Sequence, residues 1–184
     1  VESEGIVVFR LGGVPQNALR KALDKHGFSA VKMNVLKRTV DHSEETPADA
    51  QVAPGQLLKH YAPDVDTWIV AEYDNVKQEG SRKISSSPEK KDLPASVIID
   101  IGGKLKSLES TCLAYRDIAP NGDAEVAARA LFDALRWAEG VNGALHVLLA
   151  DIVQEDGNCF GGDYAPAVAD RMMRSASGKR TPLS

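Results

Sequence analysis

Apolar and polar positions follow two rhythms in this chain, one of period two and one of helical period, separated by stretches with neither. Ile6-Val7-Val8-Phe9-Arg10-Leu11 is a β-branched-rich run closed by Gly12-Gly13, and it predicts a strand. Pro15 suits the first turn of a helix, and Leu19, Ala22, Leu23 and His26 then fall on one face before Gly27. Val31, Met33 and Val35 alternate with Lys32 and Asn34, which predicts a short strand within residues 31–40. Further on, residues 67–71, 97–101 and 113–116 are strand candidates, the second of them ended by Gly102-Gly103.

The clearest helix follows the turn Pro120-Asn121-Gly122. Asp123 is its expected N-cap, Glu125 stands in its first turn, and Gly140 closes it. Val126, Ala130, Leu131, Ala134, Leu135 and Ala138 recur at helical spacing between those signals, which makes this a core-packing helix. Residues 145–152 are apolar almost without interruption, as a parallel strand covered on both faces requires. Gly161-Gly162-Asp163 leads into a helix over residues 166–176, and Asp163 is expected to cap that helix rather than leave its amides to an anion. The tail from Ser177 is expected to fray.

Three stretches lack both rhythms. Residues 41–51 are acidic, small and polar, with Pro47, and are expected to be mobile. Residues 74–94 are rich in Ser, Lys, Glu and Pro, and read as a long flexible insertion where a doubly wound domain would carry a helix. Between these lie the ten residues Pro54-Gly-Gln-Leu-Leu-Lys-His-Tyr-Ala-Pro63. Each proline biases its predecessor, Ala53 or Ala62, away from the helical region. Lys59, His60 and Tyr61 stand in a row, and three consecutive polar tips cannot share one face of a helix or strand. The segment therefore reads as a semi-rigid connecting strap that presents donors.

Composition narrows the function classes. A chain of 184 residues fits one domain with part of a second. A net charge of −4 gives no sequence-independent attraction to nucleic acid, so direct nucleic-acid binding is not expected. Cys112 and Cys159 have neither pairing nor metal-ligand spacing, which suggests a reducing compartment. No apolar run approaches a membrane span, and no signal-peptide pattern begins the chain. Val1 followed at once by a strand is the expectation for a piece of something longer.

Most single residues with chemistry have a plain explanation. Gly102-Gly103 is not a Gly-x-Gly-x-x-Gly or Walker turn, and Lys104 stands where a phosphate-binding turn would want Thr or Ser. A strand end accounts for it. Cys159 is expected to be a surface or packing thiol. His26, His42 and His146 make no metal spacing, and Asp151, Glu155 and Asp156 read as a solvated acidic loop.

The strap carries more information than its composition. Pro54, Gly55, Lys59, His60, Tyr61 and Pro63 match in order the Pro-Gly-x-x-x-Lys/Arg-His-Tyr-x-Pro interdomain strap of the long, two-domain threonylcarbamoyl-AMP synthases, which the segment resembles. The run around Arg10 is similar to the strand and short helix that end the YrdC-type catalytic domain of that family, with Leu11 in place of a proline. Residues 128–136 and 162–172 are similar to two helices of its second domain.

The resemblance implies an α/β architecture in three parts. Residues 1–40 would be the C-terminal remnant of the YrdC-type catalytic domain, 41–65 the interdomain strap, and 66–184 a three-layer Rossmann-like domain with a mostly parallel sheet. It further implies an enzyme, a nucleotidyltransferase, that joins L-threonine, bicarbonate and ATP with Mg into threonylcarbamoyl-AMP and releases pyrophosphate. The carbamoyl group then passes to tRNA through downstream tRNA-modifying proteins. By the same resemblance Tyr61 contacts ATP, Arg10 contacts its phosphates, and Lys59 and His60 with Pro54, Gly55 and Pro63 form the lid. No catalytic residue and no metal ligand is assigned within this piece, which alone is expected to be inactive. The implied location is cytoplasmic, with a mitochondrial form of the longer chain left open. The alternative is a non-enzymatic α/β module that binds a ligand or a protein.

Overall fold

A computed structural model describes residues 5–36, 62–71, 87–154 and 160–182. They form a two-stranded and a five-stranded sheet, both parallel. The small one pairs β1 (Ile6–Val8) with β2 (Met33–Val35) through α1 (Gln16–Lys25), a βαβ unit with Ile6 opposite Met33. The predicted strands were longer here. β1 ends before Arg10, which lies half-buried beyond the strand. No residue of the unit is fully buried.

The large sheet contains β3 (Asp66–Val70), β4 (Ser96–Asp100), β5 (Ala114–Asp117), β6 (His146–Ala150) and β7 (Arg180–Thr181), in the order β5-β4-β6-β3-β7. Two faces are buried, and the period of two divides the side chains between them. Ile69, Val97, Ile99, Val147 and Leu149 face α2 (Ala124–Glu139) and α3 (Ala165–Ser175), while Trp68, Val70, Ile98 and Leu148 face the opposite side. Burial on both faces is why these strands read as continuous apolar runs. The result is the three-layer, Rossmann-like α/β fold expected of the sequence.

The second outer layer is a correction. Residues 90–95, all but the last within the stretch 74–94 that the sequence marks as a flexible insertion, form a 3-10 helix that buries Leu93 against Trp68 and Ile98. Glu89 and Asp92 cap it reciprocally, each accepting a backbone N–H from the other's end. A second 3-10 turn, Lys106–Leu108, packs Leu105 and Leu108 onto the same face. Neither has a helical period to detect. The tail is a second correction, because Arg180 and Thr181 pair with Ile69 and Val70 instead of fraying.

The α2 helix is held as its sequence predicts. Asp123 Oδ1 accepts the N–H groups of Glu125 at 2.7 Å and Val126 at 3.3 Å, and Gly140 ends the helix. Its buried stripe is Ala124, Ala127, Leu131, Ala134, Leu135 and Ala138, so Val126, 47% exposed, is not part of it. Leu145, 63% exposed, likewise falls outside β6.

Candidate functional site

In open parallel sheets the crevice for a ligand lies at the carboxyl edge, where neighbouring strands send their connections in opposite directions. Here that point is between β4 and β6. The chain leaves β4 toward β5 on one side, and leaves β6 toward β7 across β3 on the other. Three loops meet there, after β4, β5 and β6.

Two carboxylates build the loop after β4. Asp100 ends the strand with no exposed surface, and it accepts hydrogen bonds from Ile101 N at 2.7 Å, Leu105 N at 2.8 Å and the Tyr115 hydroxyl at 2.6 Å. Asp117, opposite Asp100 in register, accepts from Gly103 N at 2.8 Å and Ala119 N at 3.1 Å. These bonds close a turn in which Gly102 and Gly103 both take positive φ, +74° and +70°. That conformation is what the two glycines supply.

The loops interlock around Phe160. A Cβ on Gly122 would come within 2.3 Å of the Phe160 ring, and one on Gly161 would come within 2.7 Å of the Gly122 carbonyl oxygen. Lys104 donates to the Asp151 carbonyl at 2.7 Å and lies 5.6 Å from the Phe160 ring centre. Asp151, nearly buried after β6, accepts from Val153 N at 2.9 Å through one carboxylate oxygen and from Arg180 through the other. Two cations thus converge on one backbone segment. The sequence had Asp151 in a solvated acidic loop, and it is instead the anchor for Arg180.

Burial, and then the hydrogen bond to Asp100, push the Tyr115 phenol above the ordinary tyrosine range. The folded-state value lies above the unfolded one, so its contribution to stability is complete below about pH 10 and is lost as the pH climbs further. Ultraviolet titration of the folded chain should show a phenol that ionises above the ordinary tyrosine range. Tyr115→Phe should remove that late phase, and a titration unchanged by the substitution would contradict the assignment.

Of the residues assigned to ATP or the lid, Arg10 and Pro63 are described. Tyr61, Lys59, His60, Pro54 and Gly55 lie outside the described residues, as does Cys159. Pro63 is half-buried three residues before β3, and the next residue, Asp64, donates its backbone N–H to Glu139 Oε1 at 3.0 Å at the end of α2. The strap therefore enters the sheet at its amino edge. The three loops gather at the other end.

That amino edge carries a cluster the sequence did not reveal. Asp66 accepts from Lys179 and, at 2.7 Å, from Trp68 Nε1, with His146 Nδ1 3.8 Å away. Its partners lie 2, 80 and 113 residues from Asp66, too far apart for any motif, and its role is to tie β3 to the chain before β7.

Among the described residues no group of three or more His, Cys, Asp or Glu could hold a metal ion. The carboxylates at the carboxyl edge are each engaged by N–H or O–H donors. Burial raises the Cys112 thiol, which donates weakly to backbone carbonyls and is a packing residue. Among the described residues no helix is long and apolar enough to cross a membrane.

Residues 14–177 match the family described as threonylcarbamoyl-AMP synthase, C-terminal domain. The matched span takes in α1 and β2 as well as the whole five-stranded sheet except β7. No curated protein and no solved structure matches the chain.

Proposed function

The chain belongs to the family of threonylcarbamoyl-AMP synthase C-terminal domains, and from that premise we propose that it is the closing part of an L-threonylcarbamoyladenylate synthase. Such an enzyme joins L-threonine, bicarbonate and ATP, releases pyrophosphate, and supplies tRNA threonylcarbamoyladenosine modification through further tRNA-modifying proteins. The family match carries this reading.

The family match starts at residue 14 and does not divide the chain there; what supports assigning residues 1–40 to the end of the catalytic domain is the uncovered βαβ unit of residues 5–36. Parallel sheets need cover on both faces, and two strands alone cannot provide a core. Ile6, Val7, Phe9, Val14, Phe28 and Leu36 are all exposed, and an apolar hollow of about 300 Å³ opens between α1 and the strands, lined by Ile6, Leu19, Leu23, Phe28 and Met33. The remainder of the catalytic domain would cover these surfaces. Mg-ATP, threonine and bicarbonate would be held mainly by that domain.

Within this arrangement the strap is the functional segment. Attack on the α-phosphorus builds charge on the phosphate oxygens, which hydrogen-bond donors and cations stabilise. Tyr61 would contact ATP, and Arg10 its phosphates. Lys59 and His60, between the stiffening Pro54-Gly55 and Pro63, would help the strap exclude water from the labile carboxylated threonine.

In the N-terminally extended protein, Tyr61→Phe and His60→Ala should each lower threonine-dependent pyrophosphate release, by roughly 10-fold or more for Tyr61→Phe if one transition-state hydrogen bond is lost. Circular dichroism should be unchanged. Full turnover in both variants would remove the lid role and favour the second reading, a ligand-binding α/β module. The switch-point edge with Lys104 and Arg180 is the observation on that side.

A further inference from the structure

We propose that Asn17 and Asp163 form a latch that holds the β1-α1-β2 unit against the carboxyl edge of the five-stranded sheet. This rests on the reading that the unit belongs to the catalytic domain, for only then does the contact join two domains.

The starting observation is a helix without a cap. Pro15 occupies the N-cap of α1, makes no side-chain capping bond, and no acidic residue stands in the first turn. The first amides of such a helix are unpaired and carry partial positive charge. Asn17, in that first turn, donates its side-chain amide to Asp163 Oδ1 at 2.7 Å, from 146 residues away in sequence. The carboxylate that α1 lacks is thus brought to its N-terminus from the other sheet.

Asp163 was expected to cap α3, and this is where the structure corrects the sequence. The N-cap of α3 is Tyr164, with no side-chain capping bond and no acidic residue in the first turn. The Asp163 carboxylate instead accepts from Asn17 of α1.

The loop before Asp163 is closely packed at Gly161. Gly161, at φ +113°, leaves no room for a Cβ against the Gly122 carbonyl and Ala124, and Ala124 N donates to the Gly161 carbonyl at 3.1 Å. The loop is thereby fixed to the start of α2. A carboxylate held by the sheet domain meets an uncapped helix of the other unit at a surface reached by water. Bonds in such places are weak enough to break and reform. That suits a closure that must open for substrate entry and product release.

The test is a distance between units in the N-terminally extended protein, with Cys112→Ser and Cys159→Ser, carrying spin labels at Lys21→Cys on α1 and Lys90→Cys beside the sheet. Asn17→Ala or Asp163→Ala should lower the ratio of short to long distances by roughly three- to ten-fold, the loss expected for one solvent-exposed bond to a carboxylate. The exchange Asn17→Asp with Asp163→Asn rebuilds the same amide–carboxylate pair and should restore the short distance. A wild-type distribution in both single variants, or no restoration by the exchange in a folded protein, overturns the latch. Threonine-dependent pyrophosphate release is read on the same samples. Unchanged distances in an active protein overturn the latch alone, whereas the expected shifts in a protein silent as wild type leave the contact between the two units standing but overturn the synthase reading and, with it, the latch between domains.

Discussion

Asp100→Ala is expected to destabilise the chain by about 3 kcal/mol, because buried donors are costly to leave unpaired. Three donors end on this one side chain: Ile101 N, Leu105 N and the Tyr115 hydroxyl. Alanine strips all three of their acceptor at a position with no solvent access. Water can reach Leu105 and Tyr115 in part, since both are only half-buried, which keeps the loss below a simple sum. Asp100→Asn separates the donors from the side chain's size. One amide oxygen can still serve Leu105 and Tyr115, while the NH₂ group then faces the Ile101 N–H, so about 1–2 kcal/mol should be lost. Urea unfolding reads both values from the shift in midpoint at constant slope. An alanine variant within about 1 kcal/mol of wild type would mean that the turn after β4 is not held by this carboxylate.

The residues around Asp100 also show where sequence reading stops. Ile98 and Asp100 share a strand face by the period of two, and the β4–β5 register sets Tyr115 opposite Ile98. Only that pairing brings a phenol to a carboxylate fifteen residues earlier, and nothing local to either residue announces it. The α2 helix was legible for the opposite reason. Its cap bonds reach two and three residues along the chain, so Asp123 declares itself in the sequence. Even there the buried stripe was misplaced at Val126, since periodicity gives a face but not which neighbour covers it.

Short elements escaped for want of length. A two-residue strand such as β7 has no period, and its place beside β3 depends on Lys179 and Arg180 reaching Asp66 and Asp151. Asp163 shows a different failure. The Gly-Gly-Asp pattern before a helix is a sound capping signal, yet a partner from 146 residues away took the carboxylate. The strap was legible only by resemblance, and its residues up to Tyr61 fall outside those described.

The largest functional effect expected is all-or-none. The strap meets the sheet at the edge opposite the interlocked loops. Under the proposed function, then, this chain closes a site that another domain builds. The measurement that tests this is pyrophosphate release from ATP that depends on both threonine and bicarbonate, made on this chain and on the N-terminally extended protein. The account predicts release by the extended protein and none by the chain alone. Turnover by the pure 184-residue chain, or silence in both with the fold verified, would contradict it.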